Sequence, residues 1–427
     1  MSYILFILYI LIITIYFQNA ATVLELQMKK VSQHRSLLVT NIRLGTPSQR
    51  LDVIIDINSN KTFIKLFEPK ASTSNSVVEY SQFNFRQTID NYEVKGLHLK
   101  DHAEIGSIFM HHFGFIYLFS VDSFSADLTG INGILGINMN NDINKPNQFK
   151  GDNWDSFIDY GNQMMFKERI VKLNLTTNEH YEISIGAFDE NDTPIICENN
   201  IQDNQYYFNC FLTGLILGDM GQMNEEVNSI KVNSFAYLST INQLIFCPEE
   251  DFNFIIGEFF EEKIRKKDCY IKELVNQFNK DITKIIMCDY YTIKKMKTIN
   301  FIFSNQLSIS IDGDKLFIPE SNGDYVFCIA NKKSNNNWVF GYFLFQFIPV
   351  AFNHENKKVY FYQENKNILR VVDSNFEFPN NNSSKNQKKI NLFDFSYLQM
   401  ICLILFILAG IGCFMLYKIY IIVKTLN

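Results

Sequence analysis

The sequence has no excess of basic residues, no CxxC pair, and few stretches with the 3.6-residue apolar period of a long helix. Its 39 Lys and Arg stand against 45 Asp and Glu, a net charge of −6, and the lysines are scattered through Asn-rich segments. Without a basic stripe to track a phosphate backbone, nucleic acid is excluded as a partner. Without paired cysteines the chain offers no zinc-ligand spacing, so no metal and no cofactor are expected. Helical periodicity is confined to Trp154–Phe166 and Asp251–Glu262, which excludes a helical bundle. Apolar residues are not lacking. At 47% hydrophobic over 427 residues, the chain can bury a large core and is long enough for two or three domain-sized units, which rules out disorder.

Short alternating or β-branched runs recur at Leu51–Ile55, Tyr181–Ile185, Leu307–Ile311, Tyr325–Ile329 and Lys358–Tyr362. Each has the period of a half-buried strand, and together they predict a mainly β protein. Asn-rich stretches at 138–153, 199–205 and 331–337 read as surface loops.

Both ends are addressed to membranes. Residues 1–20 contain an apolar run, ILFILYILIITIYF, followed by small residues, the pattern of a cleaved signal peptide, although no positive charge precedes the run. Residues 395–417 include Tyr397–Tyr417, an uncharged segment long enough to cross about 30 Å of hydrocarbon. Lys418 and Lys424 follow in a tail of residues 418–427, which gives a single-pass type I topology with a lumenal or extracellular ectodomain. Residues 363–394, with their Pro379–Ser384 stretch, read as a stalk. Six cysteines, Cys197, Cys210, Cys247, Cys269, Cys288 and Cys328, lie outside the span, an even set that fits disulfides in an oxidising compartment. Sequons begin at Asn60, Asn174, Asn191, Asn381 and Asn382.

The most informative segment is NIRLGTPSQRLDVIIDINSN, Asn41–Asn60. It resembles the first catalytic segment of pepsin-like aspartic peptidases, with Asp56 at the catalytic aspartate and Phe63 where that family usually has tryptophan. Further similarities follow in the family's order. They are Gly96–Asp101, Gly130–Gly136 (GINGILG), Ser156–Gln163, Ile183–Ala187, Tyr207–Leu215, Val339–Phe345 and Val350–Val359. The resemblance implies a bilobal fold of two β-barrel-like lobes with a cleft between them. A short N-terminal segment (21–36) would precede an N-terminal lobe at 37–190 and a C-terminal lobe at 191–362. It also implies a disulfide between Cys288 and Cys328. For Cys197 with Cys210 and Cys247 with Cys269 only nearness in sequence argues, and other pairings stay open.

The pattern breaks in the second lobe. AYLSTINQLIFCP, Ala236–Pro248, is similar to the family's second catalytic segment, yet Ser239 stands at the second aspartate. Two adjacent carboxylates cannot both ionise easily, so in this family one acts as base and the other as acid. A serine cannot share that proton, and no GxSxG pattern makes Ser239 a nucleophile. The Thr-Gly pairs that follow each aspartate in the family are here Ile57-Asn58 and Thr240-Ile241, so the turn at Ile241 is expected to be reshaped. Counting back from Gly96 puts the flap tyrosine position on Ile89, with Tyr92 taking over if the flap is shorter. The stretch between Ala21 and the first lobe is too short for an inhibitory propeptide.

Two readings follow. One is a monomeric pseudopeptidase, tethered to the membrane, whose cleft holds a peptide or protein ligand. The other is an active aspartic endopeptidase of the secretory or endolysosomal route.

Overall fold

The computed structural model describes residues 22–32, 35–74, 76–86, 91–118, 130–138, 157–158, 166, 168–175, 181–186, 194–198, 208–218, 228–275, 281–294, 296–304, 307–362 and 368–371. The expected signal peptide, membrane span and tail lie outside them, as do Ile89 and most of Trp154–Phe166. No helix among the described residues is long and apolar enough to cross a membrane.

The described chain is built almost wholly from strands, within one compact unit that ends at Phe378. The first half supplies β1 (Thr22–Ser32), β2 (Arg35–Leu44), β3 (Gln49–Asp56), β4 (Phe63–Ile64), β5 (Ser76–Arg86), β6 (Asn91–Ile105), β7 (Ile108–Leu118), β8 (Gly133–Gly136), β9 (Ile170–Asn174) and β10 (Tyr181–Ile185). The second supplies β11 (Ile195–Glu198), β12 (Asn209–Leu217), β13 (Asn228–Leu238), β14 (Ile245–Cys247), β15 (Cys269–Val275), β16 (Ile282–Cys288), β17 (Ile299–Phe303) and β18 (Leu307–Ile311). After these come β19 (Phe317–Pro319), β20 (Tyr325–Phe327), β21 (Ile329–Lys332), β22 (Trp338–Phe340), β23 (Val350–Asn353), β24 (Lys358–Phe361) and β25 (Leu369–Val371).

Two large sheets result, and each contains the same unusual crossing. In the first, β3 runs parallel to β8, while β4 lies antiparallel on the other side of β8. In the second, β13 runs parallel to β22, while β14 lies antiparallel on its other side. Strands buried on both faces read as continuous apolar runs, which is why VII (Val53–Ile55) does not alternate. Val53 and Ile55 enter the main core and Ile54 a smaller cluster on the opposite face.

Several boundaries differ from the sequence reading. The expected short N-terminal segment (21–36) contributes Thr22–Ser32 to the first sheet: β1 pairs with β10 through its first half and with β2 through its second. Strands β11, β23 and β24 come from the expected C-terminal lobe, yet they complete the first sheet, because β23 pairs along β9 and buries Val350 and Phe352. The expected stalk begins later than residue 363, since Leu369 is buried opposite Ile309 in the β18–β25 pair. Asn331 and Lys332, expected in a loop, are buried in β21. The expected strand Tyr325–Ile329 divides at Cys328, where the chain changes partners from β19 to β14. The expected helix at Asp251–Glu262 is longer, running from Glu249–Ile255 through a π-helical turn, Ile256–Phe260, into Glu261–Arg265.

The cysteine pairing is also corrected. Cys269 is bonded to Cys288, not Cys288 to Cys328 or Cys247 to Cys269. The reason is register: Cys269 and Cys288 are direct partners across the β15–β16 ladder, Cα atoms 4.1 Å apart. Cys247 and Cys328 remain buried thiols, and burial raises both thiol pKa values well above the ordinary one. Cys197 and Cys210 are bonded to one another.

Candidate active site

Each crossing delivers one residue to the same place. In the first, the register ends with Asp56 beside Gly136. In the second, it ends with Leu238 beside Phe340, so Ser239 follows beside Gly341, and Ser239 N donates to Phe340 O at 2.9 Å. The two glycines have matching surroundings. A Cβ on Gly136 would strike the carbonyls of Ser59 and Lys61, three and five residues after Asp56. A Cβ on Gly341 would strike those of Asn242 and Leu244, three and five residues after Ser239, and that of Gln243 between them. Backbone that passes this close admits only glycine, and the shared offsets make Asp56 and Ser239 positional equivalents.

The two segments are hydrogen-bonded directly across the lobe junction. Thr240 Oγ1 donates to Ile55 O (2.6 Å) and accepts from Ile57 N (3.3 Å). The apolar Ile57 offers no hydroxyl in return, and Asn58 takes over: its Nδ2 donates to Leu238 O at 2.7 Å, and its Oδ1 accepts from Phe208 N at 3.1 Å. Asp56 and Ser239 therefore lie between bonds that tie residues 55, 57 and 58 to residues 238 and 240. Behind them Asn138 Nδ2 donates to Asn58 O, and Asn138 Oδ1 faces His354 Nδ1 at 3.0 Å.

Both central side chains are shut off from solvent, Asp56 at 1% and Ser239 at 0% exposure. Burial raises the Asp56 pKa to about 7, against the opposing pull of backbone N–H groups of Asn58 and Ser59; Asn58 N reaches Oδ1 at 2.9 Å. Ser239 Oγ is engaged locally, accepting from Asn242 Nδ2 at 2.9 Å.

Of the other predicted residues, Phe63 lies buried in β4 and Tyr92 lies in β6 opposite Phe85. Ile241 packs with Leu37, Val39, Ile54, Phe63, Ile116, Leu118, Ile131 and Ile134, all from the first half of the chain. Ile241 thus inserts a branched butyl group among residues of the opposite lobe. Beside it, Gln243 Oε1 accepts from Ser36 N (2.7 Å) and Tyr342 Oη donates to Ser36 O (2.8 Å), which pins the start of β2 to the second lobe. Sequence reasoning missed Asn58, Gln243 and Tyr342. Only Asn58 had a signal, as the one polar side chain beside an isoleucine that cannot brace.

Chemically, the site brings together one carboxyl group, neutral over much of the acidic range, and one hydroxyl. Among the described residues no group of three or more His, Cys, Asp or Glu side chains is placed to hold a metal ion. No curated protein is similar enough to match the chain. The family model for eukaryotic aspartyl proteases matches residues 38–364, a range that takes in both crossings, Asp56 and Ser239. With more than half of its length matched, the chain belongs to the eukaryotic aspartyl protease family.

Proposed function

We propose that this chain is a membrane-anchored pseudopeptidase, holding a peptide or protein ligand between its lobes without cutting it. The observation that carries the reading is the equivalence of Ser239 to Asp56, set by strand register and by the carbonyls around Gly136 and Gly341. Aspartic catalysis needs one carboxylate to accept a proton from water while the other donates one, each transfer being worth roughly 10²–10⁴-fold. Ser239 can do neither, and its hydroxyl is already bound by Asn242. Ile241 adds a steric argument. It fills space at the lobe junction where the family leaves backbone bare for close approach to the carboxylates.

The test is to assay the full chain in detergent against a mixed peptide pool from pH 3 to 7, beside Ser239→Asp and the double variant Ser239→Asp/Ile241→Gly. The wild type should give no cleavage. Restoring the carboxyl alone should give little, and restoring both chemistry and access should give the most. Cleavage by the wild type that is lost in Asp56→Ala would establish the endopeptidase reading instead.

A further inference from the structure

Of the seven histidines in the chain, three come together at one step of the β6–β7 ladder, directly after the segment Gly96–Asp101. The register passes from Asp101 opposite Phe113 to Ala103 opposite Met110, so His102 alone faces the consecutive pair His111 and His112. Two residues against one is a β-bulge, a device that re-aims side chains. Here it brings the His111 ring to 5.2 Å from the His102 ring, centroid to centroid, with the planes at 83°. Two imidazoles that share a metal through bonds of ~2.0–2.1 Å at a tetrahedral angle have centroids about 5 Å apart, so the rings are already spaced for it.

The surroundings hold the pair in place. Phe109 packs edge-on against both rings, 4.9 Å from His111 and 5.7 Å from His102. His102 Nδ1 lies 3.2 Å from Thr46 Oγ1. Thr46 Oγ1 is in turn 2.9 Å from Ser74 Oγ, which also donates to the buried carboxylate of Asp101. This contact holds the Nδ1 edge of the His102 ring and leaves Nε2 as the nitrogen turned away from the hydroxyls. A hydrogen bond at one ring nitrogen that fixes the orientation of the other is the kind of outer support metal-bound histidines use.

We propose that His102 and His111 form a binding site for a divalent late-transition-metal ion, Zn²⁺ or Cu²⁺, completed by water. Imidazole nitrogens favour these ions over Mg²⁺ or Ca²⁺. The site stands apart from the peptidase chemistry and does not depend on whether the cleft cuts or only holds.

The full chain in detergent should be titrated with ZnCl₂ by calorimetry, and with CuCl₂ by electron paramagnetic resonance. The expected result is one ion per chain, with Cu²⁺ spectra carrying two equatorial nitrogens. His102→Ala and His111→Gln should each weaken binding by about tenfold or more, while His112→Ala, an exposed neighbour on the same strand, stays within about threefold. His111 is exposed, so its replacement leaves the fold intact, and circular dichroism checks this for each variant. Zn²⁺ binding that survives in both the His102 and His111 variants, binding lost equally in His112→Ala, or no binding by the wild type would each overturn the proposal.

Discussion

Replacing Asp56 with asparagine should stabilise the protein at neutral pH, by an amount that grows with pH. Burial raises the folded-state pKa from 3.8 to about 7, so the folded protein keeps a proton that the unfolded chain gives up. Below pH 3.8 both states are protonated and Asp56 carries no penalty. As pH rises from 3.8 to 7, unfolding releases a proton and stability falls, by about 1.4 kcal/mol per unit and about 4 kcal/mol in all. Above pH 7 both states are ionised and the penalty is constant. The substituted amide would keep an acceptor for the backbone N–H of Asn58, now 2.9 Å from the carboxyl oxygen, and would carry no charge at any pH. Urea unfolding of wild type and Asp56→Asn in the same detergent, followed through the buried Trp338, should give equal stabilities near pH 4. The curves should then diverge to a gap of several kcal/mol by pH 8, the variant being the more stable. Parallel curves, or a variant that is weaker at pH 8, would refute the picture of a lone, desolvated carboxyl group.

Removing the hydroxyl in Thr240→Val leaves Ile55 O and Ile57 N without their shared partner across the lobes and should cost about 1–3 kcal/mol in urea unfolding. Peptide mapping without reduction should find Cys269 linked to Cys288 and Cys197 to Cys210, with Cys247 and Cys328 alkylated only after denaturation. The double variant Cys269→Ser/Cys288→Ser, which opens a loop of 19 residues, should lose about 3 kcal/mol. Asn58→Ala removes the amide that bonds Leu238 O and Phe208 N and should destabilise as much as Thr240→Val, whereas Asn58→Asp should recover only the Phe208 contact.

The parts of this molecule that were legible in the sequence are those the fold cannot vary. Gly136 and Gly341 sit where any Cβ would strike backbone carbonyls, two at Gly136 and three at Gly341, so the motifs GILG and VFG mark both crossings whatever happens to the chemistry beside them. The run LDVIID announces a strand buried on both faces that ends at Asp56. What could not be read was pairing over long distances. Nothing in the spacing of six cysteines says that Cys269 faces Cys288, because that depends on the β15–β16 register, which places Val275 opposite Ile282 at the far end of the hairpin. Likewise β25 looked like stalk, since three residues alone carry no signal until Leu369 is seen buried opposite Ile309. The exchange of a threonine brace for Asn58 was hidden for the same reason: its acceptor, Leu238 O, is a carbonyl in the other half of the chain.

The network behind the site contains a second buried titratable group whose effect opposes that of Asp56. His354 is fully buried, with Nδ1 toward Asn138 Oδ1, its ring edge-on to Phe208 at 4.8 Å, and Lys357 nearby on the same turn. Burial, and then the Lys357 charge, hold its pKa well below the usual 6.5. For this group the unfolded chain is the one that takes up a proton, so stability falls as pH drops below 6.5. Below pH 6.5 the two single-proton slopes run in opposite directions, so their contributions offset one another. Either substitution alone exposes the other group. Asp56→Asn should become steadily less stable on acidification, while His354→Leu, which also loses its bond to Asn138, should become steadily less stable as pH rises toward 7. The double variant carries neither effect, so these two groups should leave it level with pH, set above the wild type by the removed penalty less the lost Asn138 contact. If the slopes of the two single variants have the same sign, these two groups do not govern the pH response of the lobe junction.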